Sequence, residues 1–447
     1  MDKKKQSVDF INGPIIKSIF LFSVPLLIGN LFQQLYNTVD SYVVGNYVGT
    51  QALAAVGASS PIINMLIGFF MGLATGAGVV IAQFFGAGDE NRLQKTIHSA
   101  AALTLVMSVV ITFLGVYMTT PMLNLIGTPS DVLPEASSYL SIYFAGITFV
   151  LIYNMGSGIL RALGDSKRPL YFLIIGCIIN IILDVVFVRF MNFGVAGAGY
   201  ATLVAQAISS VMVVYVLMKE KGAKQLIIKK IGFDIAILKK IIMIGLPTGV
   251  QASIVSLSNV VVQSYINAFG SSVIAGYSAS IRIDGFVNLP LQSFGMAITT
   301  FVGQNMGAKQ YERIKQGAKV TLIMTISVIA SMSVLLYYFG ESFIAIFNSE
   351  PAVIEAGRTL QLIFIPFYVM IAISQILSGV IRGAGKSTAP MLISVVNYVF
   401  LRQLYLFFVT QFTSTVDYVF YGWPLTWITC TIMFVIYYRK ANWLSID

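Results

Sequence analysis

Three aspartates, Asp40, Asp184 and Asp284, interrupt long apolar stretches of this chain. On insertion scales an ionisable group at the centre of a membrane helix costs about 2.5–3.5 kcal/mol. A carboxylate kept at that depth usually faces a cavity and carries an ion, a proton or a substrate. The first expectation is therefore a protein that moves something with the help of cations.

The reading requires that the stretches cross a membrane, and composition says that they do. Of 447 residues, 57% are apolar and only 10% are charged. Soluble domains run at about 45–50% apolar and about 25% charged. Apolar runs recur along the whole length, which indicates a polytopic membrane protein and not a globular enzyme with an anchor. The first run, from Ile15 past Val44, shows no small-residue cleavage pattern. It reads as a retained span and not as a signal peptide.

A hydrocarbon core about 30 Å thick needs about 20 apolar residues per helix. Breaking the chain at its polar, Gly and Pro punctuation predicts twelve spans. They cover 15–45, 52–83, 95–119, 135–160, 169–190, 197–218, 237–268, 273–304, 316–339, 354–380, 389–411 and 417–438. The fold class is all-α. The even-numbered connections and both termini, counted with the span ends beside them, carry 24 of the 28 Lys and Arg. The odd-numbered connections carry Arg189 and Arg358, and Arg282 and Arg402 fall within spans. This bias predicts both termini in the cytoplasm by the positive-inside rule. The net charge of +10 is thus a topology signal and not a nucleic-acid footprint.

The chain repeats itself. A shift of 221 residues aligns Gln83, Gly86, Ala87 and Arg92 with Gln304, Gly307, Ala308 and Arg313. It also aligns Ser157, Gly158, Arg161, Gly164, Ser166 and Pro169 with Ser378, Gly379, Arg382, Gly385, Ser387 and Pro390. Two six-helix units of the same orientation follow, a parallel repeat about an axis along the membrane normal. The expected division is a first lobe over 1–218, a basic cytoplasmic linker over 219–236 and a second lobe over 237–447. No segment is long enough for a soluble nucleotide-binding domain. Gly385-Lys386-Ser387 resembles the end of a phosphate loop, but the first glycine of that motif would fall on Val380. Cys177, Cys430 and the lone His98 form no metal-ligand cluster by spacing.

Within the first lobe, span direction brings several polar residues to one depth. Asp40 lies about a turn and a half from the outer end of span 1. Asp184 and, four residues earlier on the same face, Asn180 lie at similar depth in span 5. Thr202 in span 6 and Tyr139 in span 4 complete the layer. These oxygens suit a proton or Na⁺, because two neighbouring buried carboxylates cannot both ionise cheaply. No metal is expected beyond a possible Na⁺ at Asp40, Asn180 and Asp184. The alternative is a set of unrelated helix–helix hydrogen bonds. Against it, the repeat replaces Asp184 by Tyr405, Asn180 by Leu401, Thr202 by Trp423 and Asp40 by Val261 or Val262. The second lobe has lost the whole cluster, so the cluster belongs to a task of the first.

Gln33, Tyr36 and Asn37 share the face of Asp40, and Ser256, Asn259 and Gln263 form a comparable stripe on span 7. Both stripes are expected to line a cavity, with polar helix packing as the alternative. Asp284 either meets a cationic substrate or pairs with Arg402.

Ser23-Val24-Pro25, the Asp40 region, Gln83-Phe84-Phe85-Gly86-Ala87, Leu160-Arg161-Ala162-Leu163-Gly164-Asp165, Asn180-Ile181-Ile182-Leu183-Asp184 and Gln304-Asn305-Met306-Gly307-Ala308 carry a resemblance. Together with twelve spans, the chain resembles the multidrug and toxic compound extrusion (MATE) transporters over about residues 10–440, and within them the DinF-like branch. The resemblance implies a V-shaped pair of six-helix bundles and bending of span 1 near Pro25. It implies that Asp40, Asn180 and Asp184, with Tyr139, Asn154 and Thr202, form a cation network in the first lobe. Tyr36, Asn37, Asn154, Asn259 and Asp284 are expected to contact substrate. The function expected is H⁺- or Na⁺-coupled antiport of amphipathic, often cationic drugs or dyes across a bacterial-type plasma membrane. No cofactor, no enzymatic activity and no nucleic-acid partner is expected, and the chain is expected to act as a monomer. One alternative is a flippase for lipid-linked saccharides, which should carry more Arg and Lys for pyrophosphate than Arg282 and Arg402. A channel or receptor suits the one-sided cluster less well.

Overall fold

A computed structural model describes residues 7–412 and 415–444. Among these residues every regular element is a helix. In chain order the first half contains α1 (Ile15–Tyr47), α2 (Thr50–Ala87), α3 (Glu90–Leu125), α4 (Leu133–Ala145), α5 (Ile147–Ala162), α6 (Lys167–Asp184) and α7 (Gly194–Lys219). The second half contains α8 (Ile235–Ile266), α9 (Ser271–Gly307), α10 (Tyr311–Ala345), α11 (Pro351–Phe364), α12 (Tyr368–Gly383), α13 (Thr388–Val395), α14 (Arg402–Phe412), α15 (Val416–Phe420) and α16 (Gly422–Lys440). In lipid every backbone polar group must bond internally, so an apolar chain of this kind has little choice but helix.

By length and apolarity, ten of the described helices or joined helices can cross a membrane by themselves. α4 and α5 supply an eleventh span as a pair bent by 48° at Gly146, where the sequence predicts one straight helix. α9 supplies the twelfth. It is 37 residues long, but Asn288, Gln292 and Ser293 dilute its apolar character. Two spans carry π turns, Val185–Phe190 directly after Asp184 and Val396–Leu401 directly before Arg402. Such turns rotate the side chains that follow and occur often at functional sites.

The turns follow local chemistry. Asp89 caps α3 by accepting from the Arg92 N–H at 2.9 Å. Gly88 ends α2 with φ at 68°. Its repeat counterpart is Lys309, which holds φ at 57°, a conformation that costs a residue with a Cβ about 1–2 kcal/mol.

Packing divides the chain into two compact units. One holds the described residues through Asp9 together with Val24–Gly249. The other holds Phe10–Ser23 and the chain from Val250 onward. The repeat puts lobe boundaries at 218 and 237, whereas packing divides α1 after Ser23 and α8 after Gly249. The first turns of each helix therefore pack with the unit that does not hold the remainder of that helix.

Within the first unit, α2 and the start of α8 meet backbone to backbone. A Cβ at Gly76 would lie 2.5 Å from the Gly245 nitrogen, and one at Gly245 would lie 2.8 Å from the Leu73 Cα. Small residues permit this approach, which drives helix association where lipid offers no hydrophobic effect.

The linker is fastened to α3. His98, read from sequence as a lone histidine without a metal set, hydrogen-bonds the Gln94 carbonyl through Nδ1 at 2.6 Å. Its Nε2 accepts the Ile227 N–H at 3.0 Å. Ser99 accepts the Asp234 N–H at 3.0 Å, and Lys95 lies 3.4 Å from the Asp234 carboxylate. Asp234 caps α8 by accepting from the Ile237 N–H at 3.2 Å. That bond, with help from Lys95, holds its carboxyl below the usual carboxylate range.

Candidate cation and substrate site

In the first unit the predicted layer is a connected cluster. Asp40 on α1 is 6% exposed, and Asp184, the last residue of α6, is fully buried. Each lies within electrostatic range of the other. An amide's oxygen and nitrogen are told apart by their partners. With its nitrogen turned to Asp184, Asn180 donates to Oδ2 at 3.0 Å and accepts from the Thr202 backbone N–H at 3.2 Å. The Thr202 hydroxyl on α7 meets the Tyr36 hydroxyl at 3.0 Å. Tyr139 on α4 is buried within charge range of both aspartates.

One oxygen of each carboxylate, Asp40 Oδ1 and Asp184 Oδ1, is buried without a hydrogen-bond partner. A buried acceptor left unpaired costs about 1–3 kcal/mol, and more when charged. A proton on either carboxylate, or a small cation among these oxygens, removes that cost. Among the described residues no three His, Cys, Asp or Glu gather, so the donors are two carboxylates and neutral oxygens. Such a hard oxygen set suits H⁺ or Na⁺ better than a transition metal.

Other predicted residues stand apart from this cluster. Asn154 on α5 donates to its own helix at the Val150 carbonyl, 2.8 Å away, and no described bond joins it to either aspartate. Asn37 is exposed, as is Asn259 in the second unit. Tyr36, read from sequence as a cavity residue, has its hydroxyl inside the cluster. Tyr143 went unnoticed in the sequence, yet it lies within charge range of both Tyr36 and Tyr139. Its spacing of four from Tyr139 was the available signal.

In the second unit Asp284 and Arg402 do not pair. Asp284 Oδ2 accepts from Asn288 Nδ2 at 3.1 Å, its Oδ1 is buried without a hydrogen-bond partner, and Tyr368 lies within electrostatic range of this carboxylate. Arg402 donates to Asn259 Oδ1 at 3.0 Å and to Thr426 Oγ1 at 3.1 Å. The aromatic core around them includes Phe364 and Trp427, with ring centroids 5.0 Å apart. The pairing alternative for Asp284 is thereby removed. Asn288 was legible as the i+4 neighbour, but Tyr368, eighty-four positions away, was not.

Twelve helical spans in two repeated halves, with a carboxylate cluster inside one of them, define a secondary transporter of the membrane. The MatE family model matches residues 25–186 and 247–405, once in each half of the repeat. The chain belongs to this family, whose members are transporters and not enzymes. It is 28% identical over 438 residues to the probable multidrug resistance protein YpnP of Bacillus subtilis, covering 98% of each chain. It is 24% identical over 373 residues to a protein of Shewanella oneidensis named as an FAD transporter, covering 81% of this chain and 79% of that one. A solved structure described as the outward-facing conformation of a multidrug resistance MATE family transporter superposes with a TM-score of 0.90. That match has 24% identity and covers 98% of each chain, and it establishes the shared fold.

Proposed function

We propose that this protein is a cation-coupled multidrug efflux antiporter for amphipathic, often cationic organic compounds. The observation that carries the proposal is the pair of buried carboxylates, each with a partnerless oxygen, clustered in the first unit and absent from its repeat. The names of relatives such as YpnP support export of drugs. The distribution of Lys and Arg supports both termini on the cytoplasmic side of a bacterial-type plasma membrane. The working unit is a monomer.

In this mechanism a proton or Na⁺ from outside enters between Asp40 and Asp184 and cancels one negative charge of the pair. It shifts the transporter toward the drug-releasing conformation, and only by its differential affinity for the two states. The coupling movement is a bend in α1. Pro25 lies inside that helix, next to the Ser23–Val24 boundary between the packing units. Proline withholds one backbone hydrogen bond and weakens the helix there. The test is dye movement in proteoliposomes under an imposed pH or Na⁺ gradient. Movement under neither gradient sinks the proposal. Pro25→Ala is expected to slow export roughly tenfold, within the span of typical coupling energies, and to spare cation binding. Normal transport by that variant removes the hinge.

Asp284 supplies the carboxylate for cationic compounds in the second unit. Asp284→Asn is expected to weaken export of cationic dyes by roughly tenfold, the scale of a lost charge-assisted hydrogen bond, while sparing neutral ones. A uniform loss across cationic and neutral dyes, accompanied by a lowered melting temperature, returns Asp284 to a structural role through its bond to Asn288.

A further inference from the structure

The second unit holds a buried guanidinium with no carboxylate opposite it. Arg402 opens α14 and is 2% exposed. Its two terminal nitrogens spend one bond each on neutral oxygens, Asn259 Oδ1 from α8 and Thr426 Oγ1 from α16. Its Nε is buried without a partner. The Tyr398 and Trp423 rings flank the charge, with centroids 4.9 and 5.3 Å from Cζ. Among the described residues no Asp or Glu lies within 4.0 Å of it.

Cation–π contacts attract the guanidinium but do not cancel its charge. Arginine at membrane depth is rare and ordinarily finds a partner of opposite sign. The carboxylate that the sequence offers as its partner is Asp284, which instead accepts from Asn288. Even so, Tyr277 lies within charge range of both Arg402 and Asp284. One unit thus carries two unpaired charges of opposite sign near one aromatic side chain.

Asn259 is exposed while Arg402 is buried, so rotation of one side chain frees the Arg402 N–H that it accepts from. Its amide oxygen occupies the position that an anionic oxygen would take. A guanidinium close to two rings, with an N–H to spare, is suited to a planar oxyanion.

We infer that Arg402 is the recognition site for an anionic group on the transported compound, and that the preferred cargo is a zwitterionic aromatic amphiphile. Its carboxylate displaces Asn259 and meets Arg402, while its cationic part lies toward Asp284. The inference rests on the efflux reading above and narrows its substrate class.

The test compares a rhodamine bearing a free carboxylate with its ethyl ester, which keeps the cation and loses the anion. Binding of each dye to the full-length protein in detergent is read by fluorescence polarisation. The wild type is expected to bind the acid about tenfold more tightly than the ester, the scale of one charge-assisted hydrogen bond. In Arg402→Gln that ratio is expected to fall to about one, and Arg402→Lys is expected to keep part of it. If Arg402→Gln does not fold, Arg402→Lys and Asn259→Ala serve, the latter raising the preference by freeing that N–H. A wild type that binds neither dye, or that binds both equally, overturns the inference. So does an unchanged ratio in a folded Arg402 variant, which makes the arginine a structural clamp of α8, α14 and α16. Proteoliposome export separates the two readings. Gradient-driven movement of the ester without a preference for the acid sinks only the Arg402 assignment. Movement of neither dye under either gradient sinks the efflux reading.

Discussion

Asp40→Asn and Asp184→Asn each lose gradient-driven dye export while remaining folded. The expected loss is roughly 5- to 150-fold, the range of typical coupling free energies between two sites. Asparagine keeps the shape and, in Asp184→Asn, an oxygen able to accept from Asn180. It removes the charge through which a proton or Na⁺ is held. The partnerless Oδ1 of each aspartate is the atom whose chemistry changes. Folding is expected to survive, because a buried carboxylate is costly and an amide in its place is less so. The check is export from proteoliposomes at equal protein loading, with melting temperature read in parallel. Wild-type export by both variants would remove the cluster from coupling and leave it as helix packing. Loss in both, with melting unchanged or raised, separates a coupling defect from misfolding.

The largest effect on stability is expected at Gly76. An added Cβ meets the Gly245 nitrogen at 2.5 Å, its Cα at 2.6 Å and the Ile241 carbonyl oxygen at 2.6 Å. All three are backbone atoms of α8, so no side chain can swing aside. Gly76→Ala forces α2 and α8 apart along a contact that also includes Gly72 against Gly249. Overpacking costs about 1–3 kcal/mol, and more where backbone must move. For a chain of this size that corresponds to a fall in melting temperature of roughly 3 °C at the upper end. Gly57→Ala on the same helix is the control. A Cβ there meets nothing within 4 Å, so relief of glycine's backbone entropy should stabilise by about 0.5–1 kcal/mol. Both variants are read by thermal unfolding in detergent. Equal melting of the two would mean that the α2–α8 approach contributes little to the native state.

Much of this molecule was legible because the membrane simplifies the code. The bilayer sets helix length, so spans predicted at 52–83 and 197–218 are found as Thr50–Ala87 and Gly194–Lys219. A shared depth for Asp40 and Asp184 is the sequence's expectation, and their proximity is seen only in the packed helices. The repeat was legible because residues that serve the same turns recur at one shift, as in Gly164 and Gly385, with φ at 90° and 92°. His98 was visible but its task was not, since its partner Ile227 offers only a backbone N–H that no side-chain type announces.

What the sequence by itself determined is the helical class, the span count and the repeat. Each depends on hydropathy and periodicity, which are summed along the chain and need no partner. Tertiary structure alone decided which oxygens face one another. Successive residues differ by about 100° around a helix axis, so a small rotation directs Tyr36 to Thr202 or to open space. It also decided the bend at Gly146, the π turns beside Asp184 and Arg402, and the division of α1 and α8 between the packing units. Above all it kept Asp284 and Arg402 apart. Two opposite charges in one unit invite a pair on paper, but Asn288, Asn259 and Thr426 reach them first. Only the packed arrangement of α8, α9, α14 and α16 specifies that competition.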